Sequence, residues 1–344
     1  MSERQNINCL NAGQMIEEEY LLSRKQILTS RTGNTYGALR LGDATGEIDA
    51  KLWDRAEELL NPLQTGQIVK ILAKVQAYQG QNQLVINHIT ASGNADTSQF
   101  LQHGPKTAAQ MWPEFDIVLK KIGNSYLKKL LTSIFTPPFR QRFGLAPAAK
   151  FAHHAYVGGL LEHTVSVAQL AVAIADHYGH LDRDLLLTGA ILHDIGKVEE
   201  FSIGPPIEYT DIGRLEGHIV IGLRQLDRLI DQQVTFPEAL AAALRHMIIS
   251  HHGQELFGSP QKPKIPEAMI LHVLDDLDAK TQMVQQILDK GATEGNWSNY
   301  HGLLERHIFL LNSQGLPHIA YPEPESGPQP AVTPELSLFD KMDN

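Results

Sequence analysis

Two periodicities divide the chain. Between residues 17 and 91, apolar and polar positions alternate in short runs rich in branched and aromatic side chains: EEEYLLSRKQILTS, TYGALRLG, GEIDAKLW, QIVKILAKVQAY and NQLVINHIT. A period of two is the signature of strands with one buried face. Turn chemistry separates the runs at Thr32-Gly33-Asn34, Gly42-Asp43, Thr45-Gly46 and Gly80-Gln81-Asn82. From Ala148 onward the spacing changes to that of helices, over Gly158–Tyr178, Arg183–Leu192, His218–Gln232, Glu238–Ser250 and Pro266–Lys290. Between the two regions, residues 92–105 are small and polar, and 107–145 read as helical with a break at Pro137-Pro138.

The helical stretch DRAEELLN lies between the third and fourth strands. Five strands with a helix in that place predict an OB-fold, a small Greek-key barrel. The fold class is therefore multidomain: an N-terminal all-β OB-fold barrel followed by a mostly α-helical region. OB-folds often hold single strands through a basic groove and aromatic platforms. Tyr36 and Tyr78 are candidate platforms, whereas Trp53, directly before the helix, reads as a core residue that caps the barrel.

Composition describes an ordinary globular protein, with 42% hydrophobic and 20% charged residues. No apolar run approaches the roughly 18 residues of a membrane span. The opening residues MSERQNINCLNAGQ carry no basic-then-apolar leader. The single cysteine, Cys9, excludes an internal disulfide framework and a cysteine-type zinc site. We expect a cytoplasmic protein with no membrane partner. The net charge of −10 argues against a nucleic-acid partner, but its distribution changes that picture. Residues 101–150 carry eight basic and two acidic residues, among them Lys120, Lys121, Lys128 and Lys129. A local basic stripe attracts phosphates within a Debye length despite an acidic total.

Histidines carry the chemistry. Of 16, 14 lie at or beyond His153. His163 stands in GGLLEHT, His193-Asp194 in LTGAILHDIGK, His218 in LEGHIVIG, His251-His252 in IISHHG and Asp275 in LHVLDDLD. Imidazole and carboxylate donors at the ends of apolar helices suit Mn, Fe, Ni, Co, Zn or Mg. The pair His193-Asp194 ends a helix, where consecutive side chains can converge on one site. Asp194, with two oxygens, can span two ions.

This arrangement resembles the metal-dependent His-Asp phosphohydrolases, or HD domains, and its extra histidines resemble the branch that holds two metals. The resemblance implies one ion on His163, His193, Asp194 and Asp275, and a second on Asp194, His218, His251 and His252. Asp275 takes the family's position after LHVL, with Asp276 and Asp278 as the neighbouring alternatives. The implied reaction is hydrolysis of a phosphoester, with Lys197 of HDIGK on a phosphate oxygen and Asp194 at the catalytic centre. His154, in AHHAYVGGLLEH, is a further candidate for substrate phosphate. Two ions are implied, manganese first among them.

Over residues 15–315 the chain resembles the YhaM family, through TGEIDAKLWD, HHAYVGGLLEHT, HDIGK, EYTDIGRLEGH, ISHHG and LDAK. That resemblance implies a 3′-5′ exoribonuclease that is active with manganese on single-stranded RNA, acts also on single-stranded DNA, and releases nucleoside 5′-monophosphates. The implied organisation is an OB-fold domain over 15–95, a linker and basic helical segment over 96–147, an HD domain over 148–318, and a disordered tail over 319–344. Competing readings are a phosphohydrolase of a small or cyclic nucleotide and a non-catalytic nucleic-acid-binding regulator. HHGQELFGSP lacks the Gly-Tyr-Pro of the cyclic-dinucleotide branch, a barrel is superfluous for a small nucleotide, and every ligand that a relic would have lost is present.

In the tail, PELSLFD resembles the bacterial sliding-clamp-binding peptide. Glu335 stands where that peptide usually has Gln, with Leu336, Leu338 and Phe339 as anchors. Short tail motifs arise often by chance, so we read this one as coincidental. A homo-oligomer is compatible with the sequence, which does not set the number of copies.

Overall fold

The computed structural model describes residues 5–30, 33–78, 81–93, 97–100, 104, 106–149, 156–202, 207–233, 235–291 and 295–311. His154 and the clamp-like residues Glu335, Leu336, Leu338 and Phe339 lie outside them, as does the whole of the 319–344 tail.

The alternating region forms five strands, β1 (Met15–Thr29), β2 (Thr35–Asp43), β3 (Gly46–Leu52), β4 (Ile68–Tyr78) and β5 (Gln81–Ala91). They close into a barrel in the order β1-β2-β3-β5-β4. Only β3 and β5 pair in parallel, through Ala50↔Leu84 to Leu52↔Ile86; the other four pairings are antiparallel. On β4 the alternation is direct, with Ile71, Ala73 and Val75 buried and Lys70, Leu72 and Lys74 exposed. Closure matters because it removes free sheet edges. Tyr20, Leu22, Leu41, Leu52, Ile71 and Leu84 fill the interior.

The barrel end is sealed differently from the sequence expectation. After β3 the chain turns through Arg55, which has φ 52°, into α1 (Ala56–Leu60). That turn sends Ala56 and Leu60 inward, while Trp53 is left 52% exposed. Leu60 is the plug, so close to β2 that a Cβ on Gly37 would lie 2.5 Å from Leu60 Cδ1. Trp53 lies instead on the outside against Tyr36, with ring centroids 4.9 Å apart and 29° between planes.

The helical region comprises α2 (Ala108–Lys120), α3 (Ser125–Ile134), α4 (Pro137–Phe143), α5 (Gly159–His177), α6 (Arg183–Leu192), α7 (Lys197–Glu200), α8 (Asp211–Asp231), α9 (Glu238–Ser250) and α10 (Pro266–Lys290). Pro137 does not merely interrupt a helix; it opens α4, where a missing N–H costs nothing. The segment read as a linker with a basic stretch buries Phe115, Leu127, Leu131 and Phe143 in the same core as Leu160, Leu186 and Leu271. Its two acids are neutralised locally, Glu114 by Lys106 at 2.6 Å and Asp116 by Arg140 at 2.5 Å. Lys120, Lys121, Lys128 and Lys129 remain exposed. Helix α8 starts at Asp211, seven residues before the apolar spacing becomes helical at His218, because Thr210 Oγ1 accepts from the Gly213 N–H and Gly217, at φ 70°, breaks the helix in between. Beyond Ile287, Trp297 and Phe309 pair edge to face across an antiparallel bridge. No helix among the described residues is long and apolar enough to cross a membrane.

Leu60→Ala should cost about 2–5 kcal/mol, the range for emptying a buried leucine site. Trp53→Ala should cost less than about 1.5 kcal/mol, the scale of one aromatic pair. Urea unfolding of the two variants checks the assignment; equal losses would contradict it.

Candidate metal centre

The side chains of the centre come from six places in the helical region. Helix α5 contributes His163 on its buried face, and the end of α6 contributes His193 and Asp194. Lys197 opens α7, His218 restarts α8 after the Gly217 break, His251-His252 follow the end of α9, and Asp275 lies on α10. The turn after Asp194 must be glycine. A Cβ on Gly196 would lie 2.0 Å from the carbonyl oxygen of His218 and 2.7 Å from the Gly222 nitrogen, both backbone atoms. This close approach is what brings the His-Asp pair against α8.

Two clusters result. His163, His193 and Asp275 form one, and His218, His251 and His252 form the other. Asp194 lies between them. Its Oδ2 is 3.4 Å from His193 Nε2 and 3.6 Å from His163 Nε2, whereas its Oδ1 is 3.5 Å from His218 Nε2 and 3.6 Å from His251 Nε2. Of the three neighbouring acids on α10, Asp275 faces the first cluster, 3.2 Å from His163 Nε2. Asp276 turns outward to Lys280, and Asp278 lies behind His163.

Oxygen atoms behind the rings fix which nitrogen faces inward. Nδ1 of His193 donates to the Ala190 carbonyl at 2.9 Å, and Nδ1 of His251 to the Ile248 carbonyl at 2.7 Å. Since a carbonyl only accepts, each ring carries a proton on Nδ1, and its neutral form then has the lone pair on Nε2. His163 Nδ1 is 2.7 Å from Asp278, and His218 Nδ1 is 3.2 Å from Glu200. The sequence reading missed both of these acids as partners. Asp278 carried a signal, since it stands three residues past Asp275 and so on the same helix face. Glu200 carried none, because the contact depends on the bend at Gly217.

The donor set fits divalent cations on two counts. First, Asp194 Oδ1, His218 Nε2 and His251 Nε2 are buried and have no hydrogen-bond partner. Buried polar atoms are almost always satisfied, so three orphans aimed at one point are what an ion would satisfy. Second, His163 Nε2 and His193 Nε2 are 3.1 Å apart. Two nitrogens each about 2.1 Å from one ion lie about 3.0–3.4 Å apart at octahedral or tetrahedral angles.

Electrostatics agree. Burial opposes ionisation of Asp194, but Lys197 and His193 hold its carboxyl well below the usual range. Burial likewise opposes charge on His163, yet its bonds to Asp275 and Asp278 hold the imidazolium up to about 10. Burial and the neighbouring His251 push His252 down to about 4, so it is neutral and able to ligate at neutral pH. Lys197 Nζ is 2.6 Å from Asp194 Oδ2, inside the centre rather than in bulk solvent. On the barrel, Tyr36 lies under Lys51 at 5.1 Å, and Tyr78 is 59% exposed.

Comparisons with known proteins match both halves. Residues 160–280 match the HD domain family, and residues 21–91 match the OB-fold nucleic acid binding domain family. A protein of Bacillus velezensis named 3′-5′ exoribonuclease YhaM is 37% identical over 284 residues, 81% of this chain and 89% of its own. Its Bacillus subtilis namesake is 36% identical over the same shares. That of Listeria monocytogenes is 36% identical over 263 residues, 76% of this chain and 83% of its own.

Loading a divalent ion requires His163 to give up its proton. Its raised value makes the imidazolium's stabilising bonds complete below the unfolded value near 6.5 and lost as pH rises through about 10. Metal affinity should therefore climb about tenfold per pH unit between 6 and 8. Calorimetric titration in buffers of different ionisation enthalpy should show about one proton released; a pH-independent affinity would contradict the geometry.

Proposed function

The chain belongs to the YhaM family, and we propose that it is a divalent-metal-dependent 3′-5′ exoribonuclease that shortens single-stranded RNA, and single-stranded DNA as well, releasing nucleoside 5′-monophosphates. The observation that carries the reading is Asp194 between two histidine clusters with three buried, unpartnered donor atoms converging on one point. His163, His193, Asp194 and Asp275 would hold one ion, and Asp194, His218, His251 and His252 the other, with manganese the preferred metal. When bound, such ions supply Lewis-acid polarisation of the phosphodiester and lower the pKa of the attacking water.

The protein's own side chains do the rest. Asp194 stays ionised at every physiological pH and presents one oxygen to each cluster. Four imidazoles keep Nε2 pointed inward through the oxygens behind them. Lys197 keeps its charge; once Asp194 is engaged with cations, its ammonium is available to a non-bridging phosphate oxygen. His163, His193, Asp194 and His251 are themselves buried, which puts the centre in low dielectric, where fixed charges act strongly.

On the barrel, the exposed Trp53, stacked on the half-buried Tyr36 beside Lys51, supports base stacking, and Tyr78 is a second exposed ring. Exposed Lys120, Lys121, Lys128 and Lys129 suit the phosphate backbone. A cellular RNA substrate fits a cytoplasmic location.

Metal-stripped protein resupplied with manganese should convert 5′-labelled single-stranded RNA into a ladder shortening from the 3′ end, and Asp194→Ala should leave the RNA intact. Persistence of full-length RNA with folded, manganese-loaded protein would contradict the activity. Trp53→Ala and Tyr36→Ala should each weaken RNA binding by about 1–3 kcal/mol, the value of one stacked base. Turnover of saturating RNA should be unchanged; a fall in kcat at constant KM would place these rings elsewhere in the mechanism.

A further inference from the structure

Glu200 is a buried acid that touches the centre without belonging to either histidine cluster. Glu200 is 6% exposed, at the end of the four-residue helix that begins with Lys197. Its Oε1 accepts from the backbone N–H of His218 at 3.0 Å and lies 3.2 Å from Nδ1 of the same residue. The double contact has a structural cause. Gly217, at φ 70° and ψ 159°, breaks α8, so His218 begins a new helical run whose first N–H has no carbonyl to bond. Glu200 serves as the acceptor for that N–H and for the ring together.

The surrounding backbone leaves Glu200 little freedom. A Cβ on Gly213 would lie 2.1 Å from the carbonyl oxygen of Glu200. Thr210 Oγ1 donates to the Glu199 carbonyl at 2.8 Å. Gly196 holds the other end of the same short helix against the His218 carbonyl. With Nδ1 tied to a carboxylate, Nε2 of His218 is directed at Asp194 Oδ1, 3.5 Å away, and is buried without another partner.

We propose that Glu200 is a positioning residue that governs the second ion and not the first. Its carboxylate fixes the orientation of the His218 ring, as carboxylates behind metal-binding histidines do. The first cluster has a separate anchor of the same kind, Asp278 on His163. Occupancy of the two positions is therefore set by two different acids on α7 and α10. This inference rests on the two-ion reading above.

The test is a manganese titration of the full-length, metal-stripped protein, with free Mn²⁺ followed by electron paramagnetic resonance. Wild type should bind two ions per chain. Glu200→Gln retains a carbonyl acceptor for both contacts and should melt like wild type, yet should hold the second ion about tenfold more weakly. Glu200→Ala should weaken that ion by about 100-fold, the upper end of such effects. The first ion should be unchanged in both variants, whereas Asp278→Asn should weaken the first ion alone. Two wild-type-like ions in both Glu200 variants, or a parallel loss of both ions in Glu200→Gln, would overturn the proposal and leave the two-ion reading standing. A wild-type protein that takes up fewer than two ions would overturn that reading, and this proposal with it.

Discussion

The centre depends on one uncomfortable placement: an ionised carboxylate, Asp194, 2% exposed and surrounded by imidazoles. Burying a charge is costly unless it is paired. Lys197 at 2.6 Å offsets part of that cost on one oxygen, while the other oxygen has no hydrogen bond. The fold holds this arrangement in place by backbone contact. Gly196 lets the turn after α6 touch α8, and a side chain there would collide with main-chain atoms that have nowhere to go. The local cost is offset by the apolar core built from α2 to α10, in which Phe115, Phe143, Leu160 and Leu186 are fully buried.

The two halves of the chain use different physics. The barrel offers rings and cations on its outer surface, where contacts are tolerant of sequence. The helical region offers a nearly dry cluster of fixed donors, where small displacements matter. The activity proposed above, which would accept many sequences and cut one kind of bond, uses both.

Much of this was legible in the amino-acid sequence because it rests on local rules. Alternation marks the five strands, and His193-Asp194 at a helix end marks the place where the histidine clusters meet. Other features depend on contacts that no short window contains. Trp53 sits outside the barrel because Arg55 adopts a left-handed turn that sends Leu60 inward in its place. The first two turns of α8 leave their apolar residues Ile212 and Leu215 exposed and end at a glycine, so apolar spacing places the start at His218 rather than Asp211. Glu200 meets His218 across 18 residues, and Asp278 meets His163 across 115. Charge counting marked 101–150 as basic but not that Lys106 and Arg140 are committed to Glu114 and Asp116.

If Asp194 joins two ions, anomalous diffraction from crystals of the manganese-loaded protein should show two peaks roughly 3.5–4 Å apart, one on each side of the Asp194 carboxylate. A single peak, or manganese bound away from Asp194, would contradict it.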